Sequence, residues 1–380
     1  RKNPITMQFT VSSGALTSRL QTLQRVISNK NTISILECFL FEVADGMLTI
    51  TASDSENVMQ MTVELDECSG DGRFAIPNLK VLNAVKELAE QPLRFSIDES
   101  AYTVEIDYQN GTFNLTAVSA EDYPMIVESG KEMAELQIPS QLFAEDLSRS
   151  LFAVASDDLH PVMNGVYFDF NADNLTIVAT DGRKLVRNRV LTLSADTPSS
   201  FILPQKPAAL LKQVLAKTDD DTVISYCDNS AEVEFPGGKL YCRLIEGRYP
   251  NYNSVIPTVN TNCATIDRKS LIGAIKRVLP FASESSSLVR FHVEEGSLLV
   301  SAEDVDFATS AKETLTCEYT GVKMNIGFNG STIYDMLNNL ISDEVIIKLA
   351  DPSRAGILEP AVQPEGQDIL MLIMPMLLND

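Results

Sequence analysis

The sequence predicts an α+β protein built from three copies of one domain, and three recurring anchors lead to that reading. A short strand feeding an amphipathic helix appears as Phe9-Thr-Val11 before Leu16 and Leu20, as Leu136-Gln-Ile138 before Leu142 and Leu147, and as Ala264-Thr-Ile266 before Leu271 and Ile275. Val11, Ile138 and Ile266 are 127 and 128 residues apart. A strand, turn and helix then recur from Phe74, Phe201 and Asn325, with Ile76, Leu203 and Phe328 spaced by 127 and 125 residues. Finally Tyr123-Pro124, Tyr249-Pro250 and Met374-Pro375 close each copy, their prolines 126 and 125 residues apart. One period shared by three independent anchors is the mark of a repeat architecture.

Within each copy the local chemistry selects strands around two helices. Met47–Asp54 follows the turn Asp45-Gly46, Asn174–Asp181 follows Asp173, and Ser297–Asp304 follows Glu295-Gly296. Alternation of period two after an Asp/Gly turn reads as a hairpin. Each copy is therefore expected to hold two similar halves of strand, helix and strands. The expected boundaries are 1–6 as an N-terminal extension or expression remnant, then 7–130, 131–257 and 258–380 as the three domains. Repeats of this kind favour an extended or closed assembly over a catalytic pocket, and closure removes exposed sheet edges.

Bulk composition agrees with several substantial cores: the chain has 380 residues, 44% of them apolar and 22% charged. No run of about 18 uncharged apolar residues is present, so no membrane span is expected. Six cysteines (Cys38, Cys68, Cys227, Cys242, Cys263 and Cys317) are scattered without a Cys-x-x-Cys pair. That spacing suits neither a metal site nor a disulfide framework, and a reducing cytoplasm is the expected location.

The net charge of −22 argues against nucleic acid until its distribution is considered. Six predicted helical windows (14–30, 78–91, 140–155, 205–217, 267–280 and 330–341) hold 13 Lys and Arg against 6 Asp and Glu. For one helix this is an ordinary solvated face. Across a threefold repeat it suggests an electropositive surface that attracts phosphates without reading bases. The candidates are Arg19, Arg25, Lys30, Lys80, Lys86, Arg149, Lys206, Lys212, Lys217, Arg268, Lys269, Lys276 and Arg277; the window 330–341 has none.

Enzyme signatures are missing. Gly130-Lys131 and Gly238-Lys239 lack the rest of a phosphate loop, and neither Gly-x-Gly-x-x-Gly nor Gly-x-Ser-x-Gly occurs. His160, beside Asp157 and Asp158, reads as a solvated polar loop, and His292 as a structural residue in a strand. No catalytic residue, metal or cofactor is expected. The C-terminal Leu370–Leu378 is almost wholly apolar, where termini are usually polar. Part of it reads as a buried last strand; Met374, Met376 and Leu377 read as an adaptable wall for a partner's apolar side chains.

From Met7 to Leu378 the chain resembles a known family, the bacterial sliding clamps that form the β subunit of DNA polymerase III. Ala179-Thr-Asp-Gly-Arg-Lys-Leu185 is similar to that family's Ala-Thr-Asp-Gly-His-Arg-Leu signature. Glu246-Gly-Arg-Tyr-Pro-Asn-Tyr252 looks like its link between domains, Ile326-Gly-Phe-Asn329 like its third-domain strand, and Met374-Pro-Met376 like its tail. Arg183 stands where the family often has His, and Leu377 where a basic residue is common. The resemblance implies three domains of the DNA-clamp fold, closed into a ring as a head-to-tail homodimer, with helices inside and antiparallel sheets outside. It implies a processivity factor without a catalytic site of its own, encircling duplex DNA without sequence specificity. Its partners would be the polymerase III α subunit, the clamp loader, and other polymerases and repair proteins carrying short apolar peptides.

Carried over by position, the peptide cleft would comprise Met163, Thr180, Gly182, Arg183, Lys184, Leu185, Pro250, Val255, Leu372, Ile373, Met374, Pro375, Met376 and Leu377. Lys30 matches a DNA-contacting position in the first domain's loop. The dimer contact would join Lys80, Tyr102, Val104 and Ile106 of one chain to Pro280 and Phe281 of the next, with Phe281 as anchor. Two rival readings are a repetitive scaffold that binds no DNA and a metal-dependent hydrolase using Asp157, Asp158 and Asp181.

Overall fold

The structure is a computed structural model that describes residues 7–28, 33–124 and 132–378. Its first stretch runs β1 (Met7–Ser12), α1 (Ser13–Leu23), β2 (Cys38–Ala44), β3 (Met47–Ser53), β4 (Asn57–Glu64), β5 (Glu67–Ser69), β6 (Gly72–Pro77), α2 (Asn78–Val85), β7 (Pro92–Asp98), β8 (Thr103–Tyr108) and β9 (Gly111–Thr116). The second runs β10 (Ala134–Pro139), α3 (Ser140–Leu151), β11 (Gly165–Phe170), β12 (Leu175–Thr180), β13 (Lys184–Val190), β14 (Ser199–Pro204), α4 (Gln205–Leu215), β15 (Asp221–Tyr226), β16 (Ser230–Phe235) and β17 (Gly238–Arg243). The third runs β18 (Asn262–Asp267), α5 (Arg268–Val278), β19 (Leu288–Glu294), β20 (Ser297–Asp304), β21 (Thr309–Thr316), β22 (Glu318–Thr320), β23 (Met324–Asn329), α6 (Gly330–Asn338), β24 (Glu344–Leu349), β25 (Gly356–Pro360) and β26 (Gln367–Ile373). The strand–helix–strands half is used twice per stretch and so appears six times.

Local chemistry starts the helices where the periodicity placed them. Ser12 Oγ accepts the Ala15 N–H at 3.1 Å, Asp267 Oδ1 accepts that of Ser270 at 2.7 Å, and Asn329 Oδ1 accepts that of Thr332 at 2.9 Å. Each satisfies an N–H that the first helical turn leaves without a partner. Behind the caps, Leu16, Leu20 and Leu23 bury one face of α1, and Leu271, Ala274, Ile275 and Val278 bury one face of α5.

Contacts divide the chain into two compact units. The first holds the described residues up to Ala144 together with Leu210–Leu244. Its sheets are antiparallel: one of five strands in the order β5-β1-β7-β8-β9, the other of eight in the order β10-β15-β16-β17-β4-β3-β2-β6. The eight-stranded sheet runs straight through a seam between repeats, where β17 pairs with β4 from Gly238↔Met61 to Cys242↔Asn57. Stacked rings fill this core, Phe9 on Phe95 at 4.7 Å and Phe41 on Phe74 at 5.4 Å.

The second unit, Glu145–Ala209 with the described residues from Ile245 onward, repeats the plan. Nine strands run β14-β11-β12-β13-β26-β25-β24-β18-β22, and four run β21-β20-β19-β23. Here the seam is β13 on β26, from Lys184↔Ile373 to Val190↔Gln367. Phe168 stacks on Phe201 at 4.7 Å, one period after Phe41 and Phe74. Among the described residues, no strand pairs with the outer edge of β9 or of β21.

Candidate functional site

The second unit brings the C-terminal tail to the β12–β13 hairpin. Leu185 and Leu372 face each other across the seam and are buried with Val178, Ile202, Tyr249, Tyr252, Ile357 and Leu370. Tyr249 stacks on Tyr167 at 4.5 Å, and Tyr252 Oη donates to Asp169 Oδ2 at 2.8 Å. This packing fixes the floor. Above it the tail leaves the sheet: the Met374 N–H donates to Arg183 O at 2.8 Å, and the Met376 N–H to Gly327 O at 2.7 Å. Gly327 permits that approach, because a Cβ there would stand 2.9 Å from Met376 O and 2.7 Å from the Leu378 side chain.

The fourteen expected cleft residues separate into two layers. Met163, Thr180, Leu185, Leu372 and Ile373 are buried and form the support rather than the contact surface. Gly182, Arg183, Pro250, Val255 and Met374 are exposed, and Lys184, Pro375 and Met376 are partly so. Leu377 has 86% of its surface in solvent.

The hairpin is held rigidly. Asp181 Oδ1 accepts the N–H groups of Arg183 and Lys184, both at 2.9 Å, and Lys184 Nζ reaches Asp181 Oδ2 at 2.6 Å. Burial pushes the Asp181 carboxyl up, but these bonds overcome it and hold the group below its usual range. Gly182 takes φ +84°, the left-handed region that favours glycine. Asp157 is likewise committed to a turn, accepting the N–H groups of Leu159 and His160. Asp157 and Asp181 of the hydrolase reading are thus engaged in turns, and among the described residues no group of three or more His, Cys, Asp or Glu could hold a metal ion.

The basic candidates fare unequally. Lys80 (on α2), Lys86 (just after it), Lys212 (on α4), and Lys269, Lys276 and Arg277 (on α5) are exposed, as are Arg25 and Lys217 beyond the ends of α1 and α4. Lys206 is partly buried. Arg277 is paired in parallel with Glu313, at 2.8 and 2.6 Å. Arg19 gives its Nε to Thr62 O at 3.2 Å. Arg268 is spent on the end of α6, donating to Leu337 O at 2.9 Å and Ser342 O at 2.6 Å. Lys30 lies outside the described residues.

Arg149 is a correction to the sequence reading: only 2% exposed, it lies in the interior against Asp146 and cannot face DNA. Two interface expectations are corrected for the same reason. Val104 and Ile106 point into the core of the five-stranded sheet, whose accessible edge is β9 rather than β8. Tyr102, Lys80, Pro280 and Phe281 are exposed.

Comparison with known proteins covers nearly the whole chain. Residues 7–127, 137–251 and 253–377 match the N-terminal, central and C-terminal domains of the DNA polymerase III beta subunit. The chain is 28% identical over 380 residues to the beta sliding clamp of Haemophilus influenzae, covering 97% of this chain and 100% of that one. With the beta sliding clamp of Chlamydia pneumoniae it shares 27% over 375 residues, covering 98% and 100%. Among solved structures, a Thermotoga maritima DNA polymerase III beta subunit superimposes with a TM-score of 0.88 at 25% identity, over 98% of this chain and 100% of that one.

Proposed function

The chain belongs to the DNA polymerase III beta subunit family, and on that premise we propose that it is a DNA sliding clamp. It encircles duplex DNA without reading sequence and tethers the replicative polymerase for processive synthesis. The ring is a head-to-tail homodimer of three clamp domains per chain (7–130, 131–257 and 258–380), with helices toward the hole and sheets outside. Exposed basic residues on the helices, Lys80, Lys212, Lys269 and Lys276 among them, meet the phosphates. Weak, diffuse contacts suffice because a closed ring need not grip, and tighter ones would slow sliding. Arg183 and Lys184 stand beside the tail, and the exposed Met374 and Leu377 with the partly exposed Met376 take the apolar side chains of a partner's peptide. A docked partner inherits the tether and a raised local concentration at DNA. The protein does no chemistry itself, and ATP-driven opening belongs to the loader.

The observation that carries this reading is the pair of seams. β17 on β4 and β26 on β13 are the same junction used twice, and the same rule leaves β9 and β21 as the pair joining one chain to the next. Transferring the register sets Phe113 of one chain opposite Ala311 of the next, and Leu115 opposite Thr309. The test is oxidative cross-linking of the Leu115→Cys, Thr309→Cys double variant. A covalent dimer, absent from either single variant, is expected; a double variant that stays uncoupled removes the proposed closure.

A further inference from the structure

Three hairpins hold equivalent places in the repeats, and the third is built differently. At the β3–β4 turn, Asp54 Oδ1 accepts the N–H groups of Glu56 and Asn57, and its own N–H closes on Asn57 O at 3.1 Å. At the β12–β13 turn, Asp181 serves Arg183 and Lys184 in the same way and closes on Lys184 O at 3.3 Å. Two residues separate each closing pair. In the β20–β21 turn, Asp304 accepts the N–H groups of Asp306 at 3.0 Å and Phe307 at 3.2 Å, yet it pairs with Thr309. Four residues, Val305 to Ala308, now fill the turn. Val305 and Phe307 stand 80% and 78% exposed on it. Large apolar side chains fixed in solvent on an ordered turn mark a contact surface.

The two shorter turns indicate where the longer one goes. Glu56 O accepts the N–H of Arg243, the last residue of β17, at 3.0 Å; Arg183 O accepts that of Met374, just past β26, at 2.8 Å. The matching place for the third turn is the end of β9. There the Ala117 N–H bonds Tyr102 O at 2.8 Å, as the Leu244 N–H bonds Asn229 O at 3.0 Å in the next repeat. Tyr102 and Val118 are 41% and 38% exposed at this spot. An open cleft of about 390 Å³ lies beside Tyr102, its lining mixed, with Phe74, Ala117 and Ala120 among Asp71, Asp98 and Glu121.

We propose that the lengthened β20–β21 turn is an apolar plug, with Val305 and Phe307 of one chain packing on Tyr102 and Val118 of a second copy. This rests on the edge-to-edge dimer proposed above and adds to it a contact that the two internal seams do not have. The short turns at those seams carry Ser55-Glu56 and Gly182-Arg183 where this one carries Val-Asp-Phe-Ala. The plug is therefore confined to the joints between chains.

Sedimentation equilibrium of the full chain tests it, comparing the native protein with Phe307→Ser and with Val322→Ser, a matched change at an exposed valine on another turn. The dimer dissociation constant should rise by about tenfold or more for Phe307→Ser, as for loss of an aromatic anchor, and stay level for Val322→Ser. A Tyr102→Ala, Phe307→Ala cycle should be non-additive; additive effects would overturn the placement. A native dimer indifferent to Phe307→Ser would overturn the plug alone, whereas a native chain that sediments as monomer would overturn the dimer beneath it.

Discussion

Arg149 Nη1 lies 2.7 Å from Asp146 Oδ1, one turn away on α3, with both side chains shut off from water. Gln367 Oε1 at the start of β26 accepts a second bond from Arg149 at 3.2 Å, and Glu145 Oε2 a third at 3.4 Å. Nearby, Asn188 on β13 donates to Ser150 Oγ at 3.1 Å, and Ser150 in turn donates to Asp146 O at 2.7 Å. The network ties α3 to both strands of the second seam.

A buried pair of this kind is costly to break and cheap to replace whole. Arg149→Met should lower the unfolding free energy by about 3–5 kcal/mol, because it strands a buried carboxylate. Asp146→Leu with Arg149→Met should recover most of that loss. Urea unfolding at pH 8 measures both; equal losses in the single and double variants would contradict the account.

The same carboxyl gives a pH dependence of known sign. Burial pushes Asp146 up to about 7, with Arg149 pulling it back down, whereas an unfolded aspartate titrates near about 3.9. Between these values the folded chain keeps a proton that the unfolded chain has released, so this group's contribution is full below about 4 and is lost as pH rises through about 7. Asp146→Asn should flatten that slope. Unfolding free energies at pH 5 and 8 for both proteins are the check, and parallel slopes would sink the assignment.

Ending the chain after Ile373 should abolish capture of apolar partner peptides and leave the fold intact. Ile373 still pairs with Lys184 and Gly356, so the cut removes Met374, Met376 and Leu377 with their two bonds to Arg183 O and Gly327 O and leaves β26 in the sheet. Unchanged melting with lost peptide binding, read by fluorescence anisotropy, is the expected result.

Phe281, exposed on the 3₁₀ turn Leu279–Phe281 that packs on β20 and β21, should anchor the joint between copies. Phe281→Asp should shift the solution mass to that of the monomer. Light scattering that shows an unaltered mass would remove it from the interface.

Changing Lys80, Lys212 and Lys276 to Gln should weaken DNA binding equally for all sequences and reduce the salt slope by up to about 0.9 for each phosphate no longer neutralised. Arg268→Gln should act differently, lowering stability instead, because its guanidinium holds the end of α6. Binding titrations at several salt concentrations, beside thermal melts, separate the two.

The repeat is legible because it is written in apolar spacing: Phe41 and Phe74 return as Phe168 and Phe201 one period later, stacked in the same way. Strand pairing is not. Val104 and Ile106 alternate correctly for β8, but nothing in one strand's sequence says that β9 lies outside it. Arg149 is misplaced by counting charge along a window, which ignores the face that carries it. Only its spacing of three from Asp146 is a signal in the sequence; two residues from Leu147 and six from Phe143, it lies off the apolar stripe of α3, and its burial depends on Gln367 of the distant β26. The exposed layer of the cleft follows from an apolar tail, whereas its division into floor and wall depends on the Met374–Arg183 and Met376–Gly327 bonds, which join distant segments.

The central claim is topological, and retention on DNA tests it most directly. Protein loaded by the clamp loader onto nicked circular plasmid, then passed through a sizing column in high salt, should stay with the circle and leave once the plasmid is cut to a line. Equal loss from circle and line would show binding without encirclement and contradict the account.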